Sequence, residues 1–400
     1  MNDSSVGWPR RIPPVWSPLT VGAVASGVAS VLWRSRAAHA RAVVEATLRD
    51  GGDRELLLVD SGTSALRLAL RCTANESARP VAIPAFACYD VATAVLGAGV
   101  PFVFYDLDPA TLGPDPVSLR AALEAGADRV VLVHLYGIPV DVGRFRALAQ
   151  EYGAVVIEDA AQGSGGAWAG RPLGQHGSLG VLSFGRGKGA TGGGGGALVA
   201  NDEVGVVAIG RARSMVGPSA TTLRSVVALL AQWAFARPSL YAIPSSLPFL
   251  GLGETVFQAP RDVGGIMSLS LGVLERTLSL VADEAGVRRE QAARLIAALD
   301  PAIGRSIAVP EGGTAGYLRL PVLLNDPAAP AALASWRRSG IMPSYPRPLP
   351  DLDGFVSAVA QPASQLAGAE VLTGRLFTLP VHSRLTAEDV RVLESWCGGS

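Results

Sequence analysis

The chain of 400 residues contains one lysine, Lys188, against 33 arginines. It lies in the glycine-rich stretch SFGRGKGATGGGGGALV, residues 183–199. Arginine stays protonated, whereas a lysine amine can be desolvated, lose its proton and attack a carbonyl carbon. A bias against lysine that spares one position favours a site that needs such an amine. Survival by chance is the alternative, and the surrounding residues must decide between the two.

Three predicted strand ends carry residues that would complement an amine. Ser-Gly-Thr (61–63) follows the run LLLVD and precedes a predicted helix. The N-terminus of that helix would attract a phosphate. The alternative is that the tripeptide serves only to cap the helix. Asp159 ends the run AVVIED, where a carboxylate is costly to bury without a cation; helix capping is the alternative role. Gln162 follows three residues later, and Ser183 lies on LGVLSF, five residues before Lys188.

Together, an amine, a buried carboxylate and a phosphate cradle match the needs of pyridoxal 5′-phosphate (PLP). The amine would form a Schiff base with the aldehyde of PLP, the carboxylate would keep its pyridine nitrogen protonated, and the cradle would anchor its phosphate. No GxxxxGK[ST] phosphate loop competes with this interpretation, because Lys188 is followed by Gly-Ala.

Short apolar runs alternate with helical segments between about residue 55 and residue 200. LLLVD, VAIPAF, VPFVFYDLD, RVVLVHLYG and AVVIED are typical of strands. Fully apolar strands that alternate with helices predict an α/β fold with a mostly parallel central sheet flanked by helices. Ligands of such sheets bind beyond the carboxyl ends of the strands, where the polar residues described above would meet.

Composition argues against several classes of partner. The 34 basic and 34 acidic residues balance, and no arginine cluster resembles a nucleic-acid footprint. Three scattered cysteines and four scattered histidines give no disulfide framework and no metal-ligand spacing. We therefore expect a cytoplasmic protein that binds no metal and no nucleic acid.

The mean hydropathy of +0.32 is high for a soluble protein, and two stretches carry much of it. Residues 18–34 predict an amphipathic or buried helix, and residues 226–253 predict an apolar helix followed by an extended arm. The second stretch is interrupted by Arg237 and by prolines before it reaches the ~20 apolar residues of a membrane span. We expect both stretches to be buried in a subunit interface; contact with a membrane surface is the alternative.

From about residue 55 to residue 202 the sequence resembles the DegT/DnrJ/StrS family of PLP-dependent sugar aminotransferases. The resemblance rests on SGTSALRLAL, IPAFACYDVATAVLGAGVPFVFYDLDPATL, VHLYGIPVD and VIEDAAQGSGGAWAGRPLGQHGSLGVLSF, followed by the lysine in family order. LPVHSRLTAEDV near the C-terminus is similar to the closing strand and helix of the family. The resemblance implies PLP fold type I, with a large PLP-binding domain over 1–265 and a smaller α+β domain over 266–400. The large domain would include an N-terminal helix over 18–48 and an atypical apolar arm over 213–260.

Family roles carry over onto matching positions. The resemblance implies that Lys188 is the Schiff-base lysine and general acid–base, and that Asp159 pairs with the pyridine nitrogen. Gln162 would contact the hydroxyl side of the ring. The phosphate would be bound by three residues, Gly62, Thr63 and Ser183. The family further implies a homodimer with active sites shared across the interface.

The sequence departs from the family pattern in three places. Cys88 stands where the family has a ring that stacks on the cofactor, and we expect the adjacent Tyr89 to supply that ring. Gly194 replaces a common acidic residue. An Asn that reaches the phosphate of the neighbouring subunit is missing, with only Gln258 and Arg261 near its expected place.

The retained lysine favours transamination, because family members with dehydratase activity have histidine there. We expect transfer of an amino group from an amino acid, L-glutamate, to a nucleotide-linked keto-sugar, in surface-polysaccharide or secondary-metabolite sugar biosynthesis. A PLP-dependent sugar dehydratase or lyase, and a degenerate non-catalytic homologue, are the alternatives.

Overall fold

The computed structural model describes residues 11–74, 79–219, 221–245, 257–326, 336–355 and 366–399. Strands in these ranges are β1 (Leu56–Val59), β2 (Val81–Pro84), β3 (Phe102–Tyr105), β4 (Arg129–Val133), β5 (Val155–Asp159), β6 (Ala167–Trp168), β7 (Arg171–Pro172), β8 (Leu179–Ser183), β9 (Gly196–Ala200), β10 (Gly304–Ser306), β11 (Gly313–Thr314), β12 (Leu320–Leu324), β13 (Met342–Pro343) and β14 (Leu376–Leu379).

The α-helices of the same ranges are α1 (Val21–Leu32), α2 (Arg34–Arg49), α3 (Gly62–Cys72), α4 (Tyr89–Ala98), α5 (Pro116–Glu124), α6 (Val142–Glu151), α7 (Glu203–Arg213), α8 (Leu223–Phe235), α9 (Pro238–Ser245), α10 (Ser268–Thr277), α11 (Val281–Ala298), α12 (Ala367–Arg375) and α13 (Ala387–Cys397). None of them is long and apolar enough to cross a membrane.

A seven-stranded sheet forms the centre of the molecule, in the order β1-β9-β8-β5-β4-β2-β3. The strands from β8 to β3 pair in parallel, and β9 alone runs against its neighbours β1 and β8. Because β4, β5 and β8 are parallel neighbours, their carboxyl ends meet at one edge. The predicted α/β fold with a mostly parallel sheet is confirmed.

Helices cover both faces of this sheet because alternate side chains of each strand point to opposite faces. In β4, Val131 and Val133 join the core under α3, α4 and α7, whereas Val130 and Leu132 join the core under α5 and α6. Both sets are buried. This alternation explains why the strand is apolar at every one of these positions.

A smaller four-stranded sheet, β10-β12-β14-β13, packs its apolar side chains with those of α11 and α13. The helix α10 packs instead against α1, where Gly27 and Gly272 allow a close crossing. A Cβ atom at Gly272 would lie 2.4 Å from the carbonyl oxygen of Ser26. The domain boundary near residue 265 stays a prediction.

Two predicted elements differ from the structure. The helix predicted over 18–48 is divided at Trp33, whose extended backbone (φ −124°, ψ 116°) separates α1 from α2. The arm after α8 does not continue as an extended path: Pro238 opens the helix α9, since proline suits a first helical turn. Part of the arm, residues 246–256, lies outside the described residues.

Candidate functional site

One cavity lies at the carboxyl ends of β4, β5 and β8, beside the start of α3. Six of the seven predicted site residues line it, namely Gly62, Thr63, Asp159, Gln162, Ser183 and Lys188. Cys88, Asp90 and four apolar residues complete the lining. Residues that are up to 126 positions apart in the chain therefore meet where the sheet topology predicts a ligand.

Lys188 lies on the loop between β8 and β9, and its side chain is only partly buried. The backbone of this loop is held from the N-terminal segment, because the Ser17 hydroxyl donates to the Lys188 carbonyl oxygen at 2.6 Å. Gly187 has a φ of +76°, which favours glycine, and a Cβ at Gly189 would lie 2.8 Å from the Ser164 Cβ. The local backbone and packing therefore require glycine on both sides of Lys188.

Asp159 is the last residue of β5 and is 7 % exposed. Its carboxylate accepts a hydrogen bond from the Ala161 N–H at 3.0 Å. Burial raises the pKa of Asp159, and neither that hydrogen bond nor the charge of Lys188 cancels the effect. No ion pair joins Asp159 to a cation among the residues that the structure describes, so the carboxylate is suited to a cationic group of a ligand.

The adjacent Glu158 is fully buried on the opposite side of β5. Its carboxylate accepts hydrogen bonds from His134 Nε2 at 2.8 Å and from the N–H groups of Gly174, His176 and Gly177. Burial alone would raise the pKa of Glu158, but these hydrogen bonds outweigh it and lower the pKa to about 2.

The proton on His134 can be placed from its contacts. The Val140 N–H donates to His134 Nδ1 at 3.0 Å, so that nitrogen carries no proton. The proton is therefore on Nε2, where it is donated to Glu158. His134 is therefore a hydrogen-bond donor to Glu158, and it does not line the cavity.

The start of α3 borders the cavity with small residues. The Ser61 hydroxyl caps the helix by accepting from the Ser64 N–H at 3.1 Å. A Cβ at Gly62 would lie 2.6 Å from the Ser183 Cβ, so glycine allows the helix to start against β8. The first N–H groups of a helix lack intrahelical partners and lie at its positive end, which suits the phosphate of a ligand.

Gln162 is held in place from both ends of its amide. Its Oε1 accepts from the Tyr136 N–H and its Nε2 donates to the Tyr345 hydroxyl, both at 2.9 Å. The side chain therefore enters the cavity in a fixed orientation, as a residue that positions a bound ring requires.

Tyr89 is not among the residues that line the cavity, and its role as the stacking ring stays a prediction. Its hydroxyl pairs with the backbone of Arg347, and its ring tilts against Tyr345 at 6.3 Å between centroids. Cys88 faces the cavity instead. Burial, followed by the charge of Asp90, raises the pKa of the Cys88 thiol to about 12, so Cys88 is no nucleophile.

Sequence reasoning missed the tyrosines next to Gln162. The rings of Tyr136 and Tyr345 stack at 5.9 Å, and the Tyr136 hydroxyl contacts Ser344 Oγ. Tyr136 and Tyr317 both have left-handed backbones, with φ values of 56° and 41°. Such conformations in non-glycine residues cluster at functional sites. The segment HLYG around Tyr136 was the available signal, since its Gly137 marks a tight turn.

Gln258 and Arg261 line a neighbouring cavity of about 300 Å³, which shares Thr63 and Asp90 with the first. Arg67 donates to the Arg261 carbonyl oxygen at 2.6 Å. This places both residues close to the start of α3. A role for them across a subunit interface stays a prediction.

Residues 40–215 match the model of the DegT/DnrJ/EryC1/StrS aminotransferase family, which confirms the resemblance read from the sequence. L-glutamine:2-deoxy-scyllo-inosose aminotransferase of Streptomyces kanamyceticus is 36 % identical over 144 residues, 36 % of this chain and 34 % of that protein. UDP-N-acetyl-3-dehydro-alpha-D-glucosamine 3-aminotransferase of Acidithiobacillus ferrooxidans is 38 % identical over 146 residues, 36 % of this chain and 40 % of that protein. The match thus spans well under half the length of these two relatives.

Solved structures resemble the whole chain. Sugar aminotransferase CalS13 from Micromonospora echinospora has a TM-score of 0.73 at 23 % identity, covering 97 % of this chain and 100 % of that one. PseC of Helicobacter pylori, an aminotransferase of pseudoaminic acid biosynthesis, has a TM-score of 0.75 at 17 % identity, covering 97 % and 98 %. The fold of this chain is therefore that of PLP fold type I aminotransferases.

Proposed function

Because residues 40–215 match the model of the DegT/DnrJ/EryC1/StrS aminotransferase family, we propose that this protein is a PLP-dependent aminotransferase that acts on a keto-sugar. The observation that carries the proposal is the meeting of Lys188, the under-satisfied carboxylate of Asp159 and the start of α3 in one cavity.

The residues present fit PLP. Thr63 and the first turn of α3 would hold the phosphate together with Ser183, and Gln162 would orient the ring. When bound, PLP supplies an aldehyde for the lysine amine and an electron-withdrawing ring for the substrate. Asp159 would hold a proton on the pyridine nitrogen, and Lys188 would move a proton at the carbon that carries the amino group.

We propose two substrates, an amino donor and a ketone acceptor, each with a competing candidate. We propose L-glutamate as the amino donor, and the names of the Streptomyces relatives make L-glutamine the second candidate. We propose a nucleotide-linked keto-sugar as the acceptor, supported by the name of the Acidithiobacillus relative. A neutral cyclitol ketone of the scyllo-inosose type is the competing acceptor.

Lys188→Arg tests the central assignment, because it keeps the charge but removes an amine that can lose its proton. We expect turnover to fall to background, measured as 2-oxo acid formed from glutamate or glutamine in the presence of a keto-sugar panel. A Lys188→Arg protein with normal turnover would contradict the mechanism. Ketone consumption without 2-oxo acid would indicate a dehydratase or lyase instead.

A labelling control uses the unusual composition. Borohydride reduction of wild-type holoenzyme should label one peptide, which contains Lys188, because the chain has no other lysine. Arg305 is exposed on β10, so Arg305→Lys adds a second lysine away from the cavity. The label should stay on the Lys188 peptide in that variant. A preparation that takes up no cofactor and no label would favour the non-catalytic alternative.

We propose that the protein is a cytoplasmic homodimer joined through α1 and α8. These helices pack together, and their outer side chains stay exposed, with Leu223 at 80 % and Val227 at 55 % exposure. Large exposed apolar patches mark interaction surfaces. The three free cysteines support a reducing compartment.

The double variant Val227→Glu, Leu230→Glu tests this interface. We expect a monomer by light scattering, because two charges would have to be buried without partners. Val117→Glu is the matched control, since Val117 is 78 % exposed on α5, and it should leave the mass unchanged. A wild-type monomer would refute the dimer, and recovery of wild-type protein only with detergent-extractable membranes would favour the membrane-surface alternative.

A further inference from the structure

Arg319, directly before β12, carries a cation without a partner. Its side chain is partly buried, and its Nε is sealed from solvent with no hydrogen-bond acceptor. Among the described residues, no ion pair or hydrogen bond reaches its guanidinium group. Burial lowers the pKa of Arg319, which reflects the cost of holding this charge away from water. An anion from outside the chain would remove that cost.

The backbone places Arg319 beside the cavity of Lys188. The Leu318 N–H donates to the Tyr136 carbonyl oxygen, and the Gly316 N–H donates to that of Gly137, both at 2.8 Å. Tyr136 in turn donates its N–H to Gln162, which lines the cavity. The segment that carries Arg319 is therefore joined to the cavity wall through a single intervening residue.

Three tyrosines interact electrostatically with the Arg319 guanidinium, namely Tyr136, Tyr241 and Tyr345. Tyr345 is itself tied to Gln162 by its hydroxyl. Tyr241 comes from α9, the helix that replaces the extended arm expected from the sequence. The atypical apolar segment thus delivers a hydroxyl group to the neighbourhood of the site.

Positive charge dominates around Tyr241. Burial raises the pKa of its hydroxyl, and the groups that oppose this shift are all arginines: Arg319, Arg11 and Arg186. Arg186 lies two residues before Lys188 and is exposed. The Arg11 N–H donates to the Pro238 carbonyl oxygen at the start of α9, which fixes the N-terminal segment there. Three arginines thus contribute positive charge around the Tyr241 hydroxyl.

We propose, on the premise of the aminotransferase function above, that Arg319 and Tyr241 bind a carboxylate or phosphate group of a substrate. A guanidinium presents parallel N–H donors that match either group, and a tyrosine hydroxyl adds a further donor. The anion can come from the amino-acid donor or from the diphosphate of a nucleotide-linked acceptor. A neutral cyclitol ketone offers no group for Arg319.

The experiment uses PLP-loaded full-length protein and separates the two sources. The donor arm measures KM and kcat for L-glutamate and L-glutamine in the half-reaction that aminates the cofactor. The acceptor arm measures the Kd of UDP and of inorganic pyrophosphate by calorimetry, which requires no turnover. We expect Arg319→Gln to raise either the KM of the amino-acid donor or the Kd of UDP and pyrophosphate about 10- to 100-fold. The kcat should change much less. Arg319→Lys should recover part of that loss, and Tyr241→Phe should lose less than Arg319→Gln.

Arg305→Gln is the matched control, an exposed arginine of the same small sheet, and both arms should remain at wild-type values. Unchanged KM and Kd in Arg319→Gln would overturn the proposal, as would a wild-type protein that binds none of the four probes. A drop in kcat with all affinities intact would assign Arg319 a structural role and also overturn it. Failure of the aminotransferase function has a different signature, namely wild-type protein that binds UDP or pyrophosphate through Arg319 but forms no 2-oxo acid.

Discussion

The two faces of β5 hold adjacent carboxylates under opposite conditions. Glu158 accepts four hydrogen bonds from the protein, and its pKa is lowered to about 2. Within the described ranges Asp159 accepts one, and burial raises its pKa. A carboxylate whose bonds are all satisfied within the chain stabilises the fold. A buried carboxylate left short of partners is available to a ligand.

The loop at 174–177 produces this difference. Its N–H groups point at Glu158, and a Cβ at Gly177 would lie 2.8 Å from the Val156 carbonyl oxygen. Only a loop with glycine at this point comes close enough to saturate Glu158. Asp159 lies at the open end of the strand, where the protein places a cavity instead.

Asp159→Asn should give the largest effect on the cavity side. Breaking a buried ion pair costs about 3–5 kcal/mol, so PLP affinity should fall by that amount and most turnover should be lost. The apoprotein should be at least as stable as wild type at pH 7, because a raised pKa means that the ionised form is disfavoured in the fold. PLP titration by absorbance and urea unfolding of the apoprotein measure the two quantities.

Asp108→Asn is a suitable control for the Asp159 substitution, since Asp108 stabilises a turn outside the cavity through Ala110 and Thr111. It should reduce stability without changing PLP affinity. Near-wild-type PLP affinity in Asp159→Asn would contradict the assignment of Asp159 as the ligand carboxylate.

Glu158→Gln should have the converse effect, a loss of about 3 kcal/mol in the free energy of unfolding at pH 7. In the variant, the side-chain NH2 group of glutamine would replace one carboxylate oxygen. It would then lie opposite backbone N–H groups from which it cannot accept a hydrogen bond. The folded pKa of about 2 lies below the ordinary glutamate pKa of 4.5, so this stabilisation is complete above pH 4.5 and disappears as the pH falls toward 2. Urea unfolding at pH 7 and at pH 3 should show a smaller gap between wild type and variant at pH 3.

Glu311→Gln, an exposed substitution, controls for the general effect of removing a carboxylate and should leave stability unchanged. A gap between wild type and Glu158→Gln that widens as the pH falls would show that Glu158 is not the anionic partner inferred from its contacts.

Tyr89→Phe should give the smallest effect, and it tests whether Tyr89 contributes to the fold or to cofactor binding. Like Glu158, Tyr89 finds its polar partners inside the chain, at the backbone of Arg347. We expect a loss of about 1 kcal/mol of stability and unchanged PLP affinity. Chemical unfolding and PLP titration test this together, and a shifted cofactor spectrum with unchanged stability would return the ring to the cavity.

Most of the residues that line the cavity could be picked out from the sequence because they lie in short local patterns. Lys188 follows β8, Asp159 ends β5, and Gly62 starts α3, each next to a recognisable apolar run. Which of Cys88 and Tyr89 lines the cavity was harder to predict, because one step at the start of a helix turns a side chain by about 100°. No local pattern distinguishes Cys88 from Tyr89 in this respect.

Residues that meet across long stretches of chain lay beyond prediction. The Gln162 side chain donates to the Tyr345 hydroxyl although 183 positions separate the two residues. Leu318, next to Arg319, reaches the same group through its backbone hydrogen bond to Tyr136. The helix α9, which brings Tyr241, reads as a broken arm because its prolines at 238 and 244 obscure its helical pattern. Their contacts depend on how the small sheet and α9 pack against the central sheet.

The place of the amine belongs to the sequence alone, because Lys188 is the only lysine in the chain. The alternation of β5 also follows from sequence, since neighbouring side chains of a strand point to opposite faces. That rule says that Glu158 and Asp159 differ, but not which of them faces the ligand. The tertiary structure decided it, because saturation of Glu158 requires His134 and the loop at 174–177 to arrive from other parts of the chain.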